Sequence, residues 1–182
     1  MTQKKREAQN KGKRKDLKKL LALISACNKN ITSLVNEAEL LFNHQFYARS
    51  FAISYSALEE EGKYLLVCDY LEDMISEEEF QAAFHDHKLK IAYLNNNCDI
   101  TETESGECNF TIVYDKKKYA PWFDERNRAL YIDFNDSQIF NPLEHITEDY
   151  AAQILQYAQR VVNERRKYEY ISELFGSKAF YK

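Results

Sequence analysis

The sequence predicts a mainly α-helical protein, an antiparallel bundle of four to five helices with a small β-hairpin insertion. Its 182 residues include only four Gly and two Pro, and 45% are apolar. This composition suits helices better than a sandwich built on tight turns. Apolar residues also recur at three- and four-residue steps, the period of a helix. We expect one domain over residues 13–175, between a disordered basic arm (residues 1–12) and a C-terminal tail (residues 176–182).

The first two helices are predicted from apolar periodicity and from the polar residues that interrupt it. One helix begins at about Lys13 and ends at Asn28-Lys29-Asn30. A much longer helix follows from about Ser33 to Met74, with Asn30 or Thr32 as its N-cap. A bend is expected near Asn43-His44.

Two later helices have clear start signals. Ser76-Glu77-Glu78-Glu79 reads as a capping box and predicts a third helix that extends to about Leu94. Thr147, followed by two acidic residues, predicts the start of a last long helix that ends at about Leu174.

Residues 98–143 differ in character and predict an insertion in the bundle. Asn109–Tyr114 and Ala129–Phe134 are rich in β-branched and aromatic residues that partly alternate. We predict that they form two short strands, a hairpin packed on the helices.

The charge is uneven, since residues 1–19 carry nine basic and two acidic side chains in a chain of net charge −4. A basic arm suits contact with RNA or the ribosome, and it also suits a solvated terminus. The four Cys form no C-x-x-C pair, and no apolar run approaches the roughly 18 residues of a membrane helix. We expect a cytoplasmic protein without a metal, a cofactor or a membrane contact.

A polar strip marks the predicted long helix. At 100° per residue, Arg49, Ser56, Glu60 and Lys63 fall within a narrow arc of a helix that is otherwise apolar on nearly every face. Charges on such a central helix are paired, hydrogen-bonded or functional. The strip therefore indicates either a structural ion-pair network, to which a Glu59–Lys63 pair would belong, or a functional site.

His87 is the second candidate, on the apolar stripe of the predicted third helix. It is either a hydrogen-bonded core residue or an acid–base group. An imidazole can move the proton of a ribose 2′-hydroxyl, while Arg and Lys stabilise the charged phosphorane. No Glu-x-x-His pattern supports a di-iron bundle, and no Gly-rich phosphate loop supports a nucleoside-triphosphate hydrolase.

Three segments together resemble the AbiV-type abortive infection proteins. Ala48-Arg49-Ser50-Phe51-Ala52 with Ala57-Leu58-Glu59-Glu60-Glu61-Gly62-Lys63 resembles the long-helix signature of that family. Phe84-His85-Asp86-His87-Lys88-Leu89-Lys90 resembles the second motif, and Arg128-Ala129-Leu130-Tyr131-Ile132-Asp133-Phe134 the third. The match spans roughly residues 33–165. The family is similar to the HEPN superfamily of helical bundles, which usually dimerise and include many RNases of antiphage systems.

The resemblance implies an antiphage effector that acts on RNA or the translation machinery. As a metal-independent RNase, it would hold phosphate with Arg49 and Lys63, orient a partner with Glu60 and move the proton with His87. Lys88, Lys90 and Arg128 would contact nucleic acid. The implied partners are a second copy in a homodimer, a phage-encoded trigger protein, and RNA or the ribosome.

The chain departs from the family pattern at two points. Active HEPN nucleases carry Arg-x4–6-His, and none of the four His here has an Arg at that spacing. Glu61 stands where many relatives have an apolar residue, which indicates that this face lies at a boundary or interface. The rivals are a non-enzymatic module that docks a phage or ribosomal partner, and a nucleotide-binding partner of a nucleotidyltransferase.

Overall fold

Seven helices and one hairpin follow one another in the described part of the chain. The structure is a computed structural model that describes the backbone of residues 3–98, 124–135 and 138–175, and the side chains of residues 17–94, 124–134, 138–163 and 165. The elements are α1 (Gln3–Asn43), α2 (Tyr47–Leu71), α3 (Glu77–Phe84), α4 (His87–Cys98), α5 (124–130), β1 (Asp133–Asn135), β2 (Gln138–Phe140), α6 (Pro142–His145) and α7 (Glu148–Phe175). The mainly α fold with a small hairpin is thereby confirmed.

α1 is one continuous helix. It passes through Asn28-Lys29-Asn30, so the break predicted there is wrong. Thr32 is not a cap, because its hydroxyl donates to the carbonyl oxygen of Asn28 within the helix, over 3.1 Å. A buried stripe at helical spacing holds this stretch against the core, and it consists of Cys27, Ile31, Val35 and Ala38.

α1 also includes residues 3–12, which the sequence assigns to a disordered arm. Lys, Arg, Gln and Ala fill most of this segment, and all four favour helix. The division of the chain into an arm (residues 1–12), one domain (residues 13–175) and a tail (residues 176–182) stays a prediction.

The chain reverses direction after α1. His44–Phe46 form the turn, in which Gln45 has a left-handed φ of 65°. The single helix predicted from Ser33 to Met74 is therefore wrong, and the expected bend is a full reversal. The hydroxyl of Ser50 donates to the carbonyl oxygen of Ala38 over 2.8 Å, which ties the two antiparallel helices together.

Two predicted helix starts are confirmed. The Ser76 hydroxyl accepts from the backbone N–H of Glu79, and the Glu79 carboxylate accepts from the backbone N–H of Ser76, which completes the capping box of α3. The Thr147 hydroxyl accepts from the backbone N–H of Tyr150 over 3.3 Å at the start of α7.

The predicted third helix is two helices. α3 ends at Phe84, and Asp86 opens α4 because its Oδ1 accepts from the backbone N–H groups of Lys88 and Leu89, over 2.9 and 3.1 Å. His87 therefore lies in the first turn of a new helix. It does not continue the apolar stripe of Phe84, as the single helix would require.

α2 is the central helix, as its composition predicts. It contacts α1, α3, α4, α6 and α7, and it buries residues on all its faces. Along α2 and α7 the contacts advance in the same direction, from Phe51 with Tyr150 to Glu61 with Arg165. α7 therefore runs parallel to α2, and α1 runs antiparallel to both.

The insertion differs from the prediction in its elements. The strand predicted at Asn109–Tyr114 lies outside the described residues. The strand predicted at Ala129–Phe134 is wrong in its first half, because residues 124–130 are helical and Ala129 is completely buried in the main core. β1 and β2 pair as an antiparallel hairpin instead.

Among the described residues, no helix combines the length and the apolar character needed to cross a bilayer.

Candidate active site

A carboxylate on α2 connects α4 and α5. Glu59 is 7% exposed. Its Oε1 lies 3.1 Å from Nδ1 of His87, and its Oε2 lies 3.0 Å from Nη1 of Arg126. The His87 side chain is 52% exposed, whereas that of Arg126 is 20% exposed. We call these three residues the Glu59 cluster.

The geometry of the Glu59 cluster sets the tautomer of its imidazole. An ionised carboxylate only accepts hydrogen bonds, so Nδ1 of His87 carries the proton and Nε2 is the basic nitrogen. The ion pair with Arg126 offsets the cost of burying the charge of Glu59. A half-exposed imidazole held by a buried carboxylate suits a general base.

Glu60 and Lys63 form a separate pair beside the cluster. Nζ of Lys63 binds Oε1 of Glu60, so the Glu59–Lys63 pair predicted from spacing is wrong. The two side chains are about one-fifth exposed, and the ammonium lies 5.9 Å from the ring centroid of Phe84. Glu60, which was predicted to orient a partner, thus pairs within its own helix. The neighbouring Glu59 is the residue that contacts His87.

Arg49 and Lys63 do not converge. They are fourteen residues apart on α2, which is roughly 21 Å at 1.5 Å per residue. The exposed guanidinium of Arg49 donates through Nη1 to the carbonyl oxygen of Leu130, over 2.9 Å. Ser56, also on the predicted strip, donates its hydroxyl to Ala52 of the same helix. The residues of the strip therefore make separate contacts and do not form one site.

Lys90 lies inside the bundle, near the carboxylates of α2. It is 6% exposed. Burial lowers the pKa of its ammonium from the usual 10.5, although the charges of Glu59 and Glu60 oppose that shift. Lys90 therefore has little surface with which to contact nucleic acid directly.

The other two residues predicted to contact nucleic acid lie apart from each other. Lys88 is half-buried in the first turn of α4, next to His87. Arg128 belongs to a second cluster, in which Glu125 lies 2.9 Å from Nη1 of Arg128 and 2.8 Å from Nε2 of His145. The Arg128 guanidinium also covers the ring of Phe140, 4.8 Å from its centroid.

Gly62 fixes the distance between α2 and α4, and with it the place of His87. A Cβ atom added to Gly62 would lie 2.1 Å from the carbonyl oxygen of Lys90 and 2.8 Å from its carbonyl carbon. Only glycine allows this approach of two backbones. α4 is thereby held close enough for its first residue to reach Glu59.

Sequence reasoning missed Glu59 and Arg126 as site residues. Asp86 between two His residues is an N-cap signal, and it would have placed His87 at a helix start. Arg126 has no local signal, because it precedes a segment that the composition predicts as strand.

Glu61 is buried between α2 and α7 and does not lie on the surface of the bundle, which corrects the prediction of a boundary there. It is 2% exposed, and its Oε2 lies 2.8 Å from Nη1 of Arg165 on α7. The Arg165 guanidinium also lies 4.8 Å from the ring centroid of Tyr64. A buried carboxylate needs a cation as partner. Glu61, which stands where many relatives have an apolar residue, therefore has Arg165 of α7 opposite it.

Cys27 and Cys68 are expected to resist alkylation in the folded protein. Burial, with nearby carboxylates, raises the pKa of Cys27 to about 11 and that of Cys68 to about 12. Because only the thiolate reacts, iodoacetamide at pH 8 should modify neither residue when Cys98 and Cys108 are replaced by Ser. Both thiols should react in urea, as mass spectrometry would show. Rapid labelling of either thiol without denaturant would contradict the expectation.

The helical bundle with its small hairpin is a HEPN-like fold. A family model described as AbiV, of the HEPN type, matches residues 19–163, and the chain belongs to this family. The family makes it an abortive-infection defence protein of the HEPN type. No curated protein and no solved structure matches the chain.

Proposed function

We propose that this cytoplasmic AbiV-family protein stops phage propagation by cleaving RNA, of the cell or of its translation machinery, at the Glu59 cluster. The observation that supports this most is the half-exposed His87, held by the buried Glu59 beside the cation of Arg126. A homodimer and a phage-encoded trigger are part of the proposal, as the family resemblance implies.

The proposed reaction needs no metal ion. Nε2 of His87 takes the proton of a ribose 2′-hydroxyl, the 2′-oxygen forms a bond to phosphorus, and the bond from phosphorus to the 5′-oxygen breaks. The leaving 5′-oxygen takes a proton from water. Glu59 stabilises the imidazolium that forms, and Arg126 stabilises the charge on the phosphorane.

Other cations would bind the flanking phosphates. Lys63 and Lys88 are partly exposed next to the cluster. Arg49 lies roughly 15 Å from Glu59 along α2, and Arg128 lies on α5, where it pairs with Glu125. These positions suit contacts to neighbouring nucleotides and not to the phosphate that reacts.

His87→Ala and Glu59→Gln should each lower RNA cleavage by about 10² to 10⁴-fold, because the first removes the base and the second removes the carboxylate charge that orients it and stabilises the imidazolium. Purified protein is incubated with total RNA in EDTA, with and without a phage lysate, and phage protection is measured in cells. His85→Ala is the matched control, since His85 is exposed and two residues away. Glu60→Gln separates the Glu59 cluster from the Glu60–Lys63 pair and should keep most activity.

Thermal melts show whether each variant folds. Cleavage by folded His87→Ala at the wild-type rate would overturn the site. Phage protection by all of the variants at the wild-type level would do the same.

A second candidate function is docking without catalysis, which one observation favours. The outer face of the hairpin and its neighbours expose five large apolar side chains, each 66% to 81% exposed: Tyr131, Ile132, Phe134, Ile139 and Leu143. Phe134 and Ile139 are directly opposed across the two strands. Exposed apolar side chains of this size suit contact with a phage or ribosomal protein partner. If docking is the function, Phe134→Ser should abolish protection, and His87→Ala should not.

A further inference from the structure

A cavity lies between α2 and α7, apart from the residues that carry the proposed chemistry. Its volume is about 380 Å³, within the roughly 300–1,000 Å³ of small-molecule sites. Gln153 is exposed, whereas Tyr55 is fully buried. Its lining consists of Phe51, Tyr55, Tyr150, Gln153, Ile154 and Tyr157.

The lining suits a flat heterocyclic ring. Four of the six side chains are aromatic, and the rings of Phe51 and Tyr150 pack with centroids 4.8 Å apart. Aromatic faces stack on any nucleobase, and the Gln153 amide can both donate and accept at its edge.

Tyr55 adds an independent observation. Its side chain is buried, and its hydroxyl has no hydrogen-bond partner among the described residues. Buried hydroxyls are nearly always hydrogen-bonded in native proteins, so a missing partner calls for an explanation. Tyr55 lines the cavity, so a ring nitrogen or exocyclic oxygen of a bound base that reaches its hydroxyl would supply the missing partner.

The position of the cavity suggests a nucleotide in particular. Tyr55 and Glu59 are one turn apart on α2, roughly 6 Å. The Arg126 guanidinium carbon lies 5.9 Å from the Tyr55 ring centroid, and Nη1 of the same residue lies 3.0 Å from Glu59. A base in the cavity would thus have its sugar and phosphate close to Arg126 and the Glu59 cluster.

We infer that this cavity binds one unstacked nucleobase and positions the attached ribose phosphate at the Glu59 cluster. The inference deepens the proposed function and rests on it for the RNA source of the base. A free nucleotide offers the same ring, so the test includes both sources.

Calorimetric titration tests the inference with the four nucleoside 5′-monophosphates and with single-stranded tetraribonucleotides. Gln153→Trp fills the open side of the cavity and should abolish binding. Tyr55→Phe removes one hydroxyl and should weaken binding about fivefold to tenfold without loss of thermal stability. Tyr47→Phe is the matched control on the same helix, because the Tyr47 hydroxyl bonds to Glu148 outside the cavity, and it should bind like the wild type.

The outcomes separate the two proposals. Binding of a monophosphate or a tetranucleotide that Gln153→Trp abolishes supports the inference, and the ligand that binds identifies the source. No binding of any probe, or unchanged binding by Gln153→Trp, overturns it. Cleavage that depends on His87 but occurs without base binding would contradict only the proposed base-binding cavity. Base binding without cleavage would contradict only the proposed nuclease activity.

Discussion

Replacing Gly62 by Ala should destabilise the protein by about 2 kcal/mol, because overpacking against backbone atoms costs about 3 kcal/mol, while the higher helix propensity of Ala offsets only about 1 kcal/mol of that cost. The added Cβ atom would lie 2.1, 2.8 and 3.3 Å from the carbonyl oxygen, carbonyl carbon and Cα of Lys90. All three are backbone atoms, so no side-chain rotation relieves the contact. α4 must move away from α2 by about 1 Å.

The same displacement should reduce RNA cleavage. α4 carries His87 as its first residue, 3.1 Å from Glu59 on α2. A misplacement of about 1 Å can cost about 10²-fold in rate, so Gly62→Ala should lose cleavage even under conditions where it is fully folded.

Urea unfolding followed by circular dichroism measures the stability of Gly62→Ala. Ser56→Ala is the matched control, because it also introduces Ala into α2 and removes only a hydrogen bond to Ala52 of the same helix. The control should stay within about 0.5 kcal/mol of the wild type. Equal stability of Gly62→Ala and Ser56→Ala would contradict the close approach of α2 and α4.

Local signals predicted the parts of this fold that local physics decides. The capping box at Ser76 and the cap at Thr147 were readable because each is a hydrogen bond within four residues. The breaks were less readable. Asn28-Lys29-Asn30 stays helical because the residues on either side of it, Cys27 and Ile31, are buried in the core. At His44–Phe46 the chain turns instead, and Gln45 there has a left-handed φ. Only tertiary packing separates the two cases.

The candidate site was predicted in part for the same reason. His87 and the acidic run of α2 were singled out from residue type and spacing. Glu59 contacts His87, and the adjacent Glu60 does not, because α2 and α4 cross at Gly62. The apolar periodicity of either helix gives no information on where the two helices cross. Arg126 comes from an insertion, and its contact with Glu59 joins residues 67 positions apart.

Replacing Glu61 by Leu should cost about 3–5 kcal/mol, because it removes the carboxylate from a guanidinium that stays buried. Arg165 is 7% exposed, and its Nη1 lies 2.8 Å from Oε2 of Glu61. Glu60→Gln is the matched control one residue away. The Glu60–Lys63 pair is about one-fifth exposed, so its loss should cost less than about 1 kcal/mol.

The double variant Glu61→Leu with Arg165→Met should recover most of that loss. Two apolar side chains of similar volume remove both charges from the core, and such exchanges are often neutral or stabilising. Urea unfolding of the two single variants and the double variant gives the coupling between the residues. A double variant as unstable as Glu61→Leu would show that packing volume, and not the ion pair, matters here.

If the buried Glu61–Arg165 pair lowers the stability of the protein, we expect its role to be to fix the register of α7 on α2. The pair and the Phe51–Tyr150 contact fix α7 at two points along α2, and the cavity lies between them. An apolar exchange leaves the helices free to slide by a turn, whereas an ion pair allows one register. The double variant should therefore be stable and yet bind nucleotide or protect cells less well. Wild-type binding and protection in the double variant would remove any role for the ion pair in register.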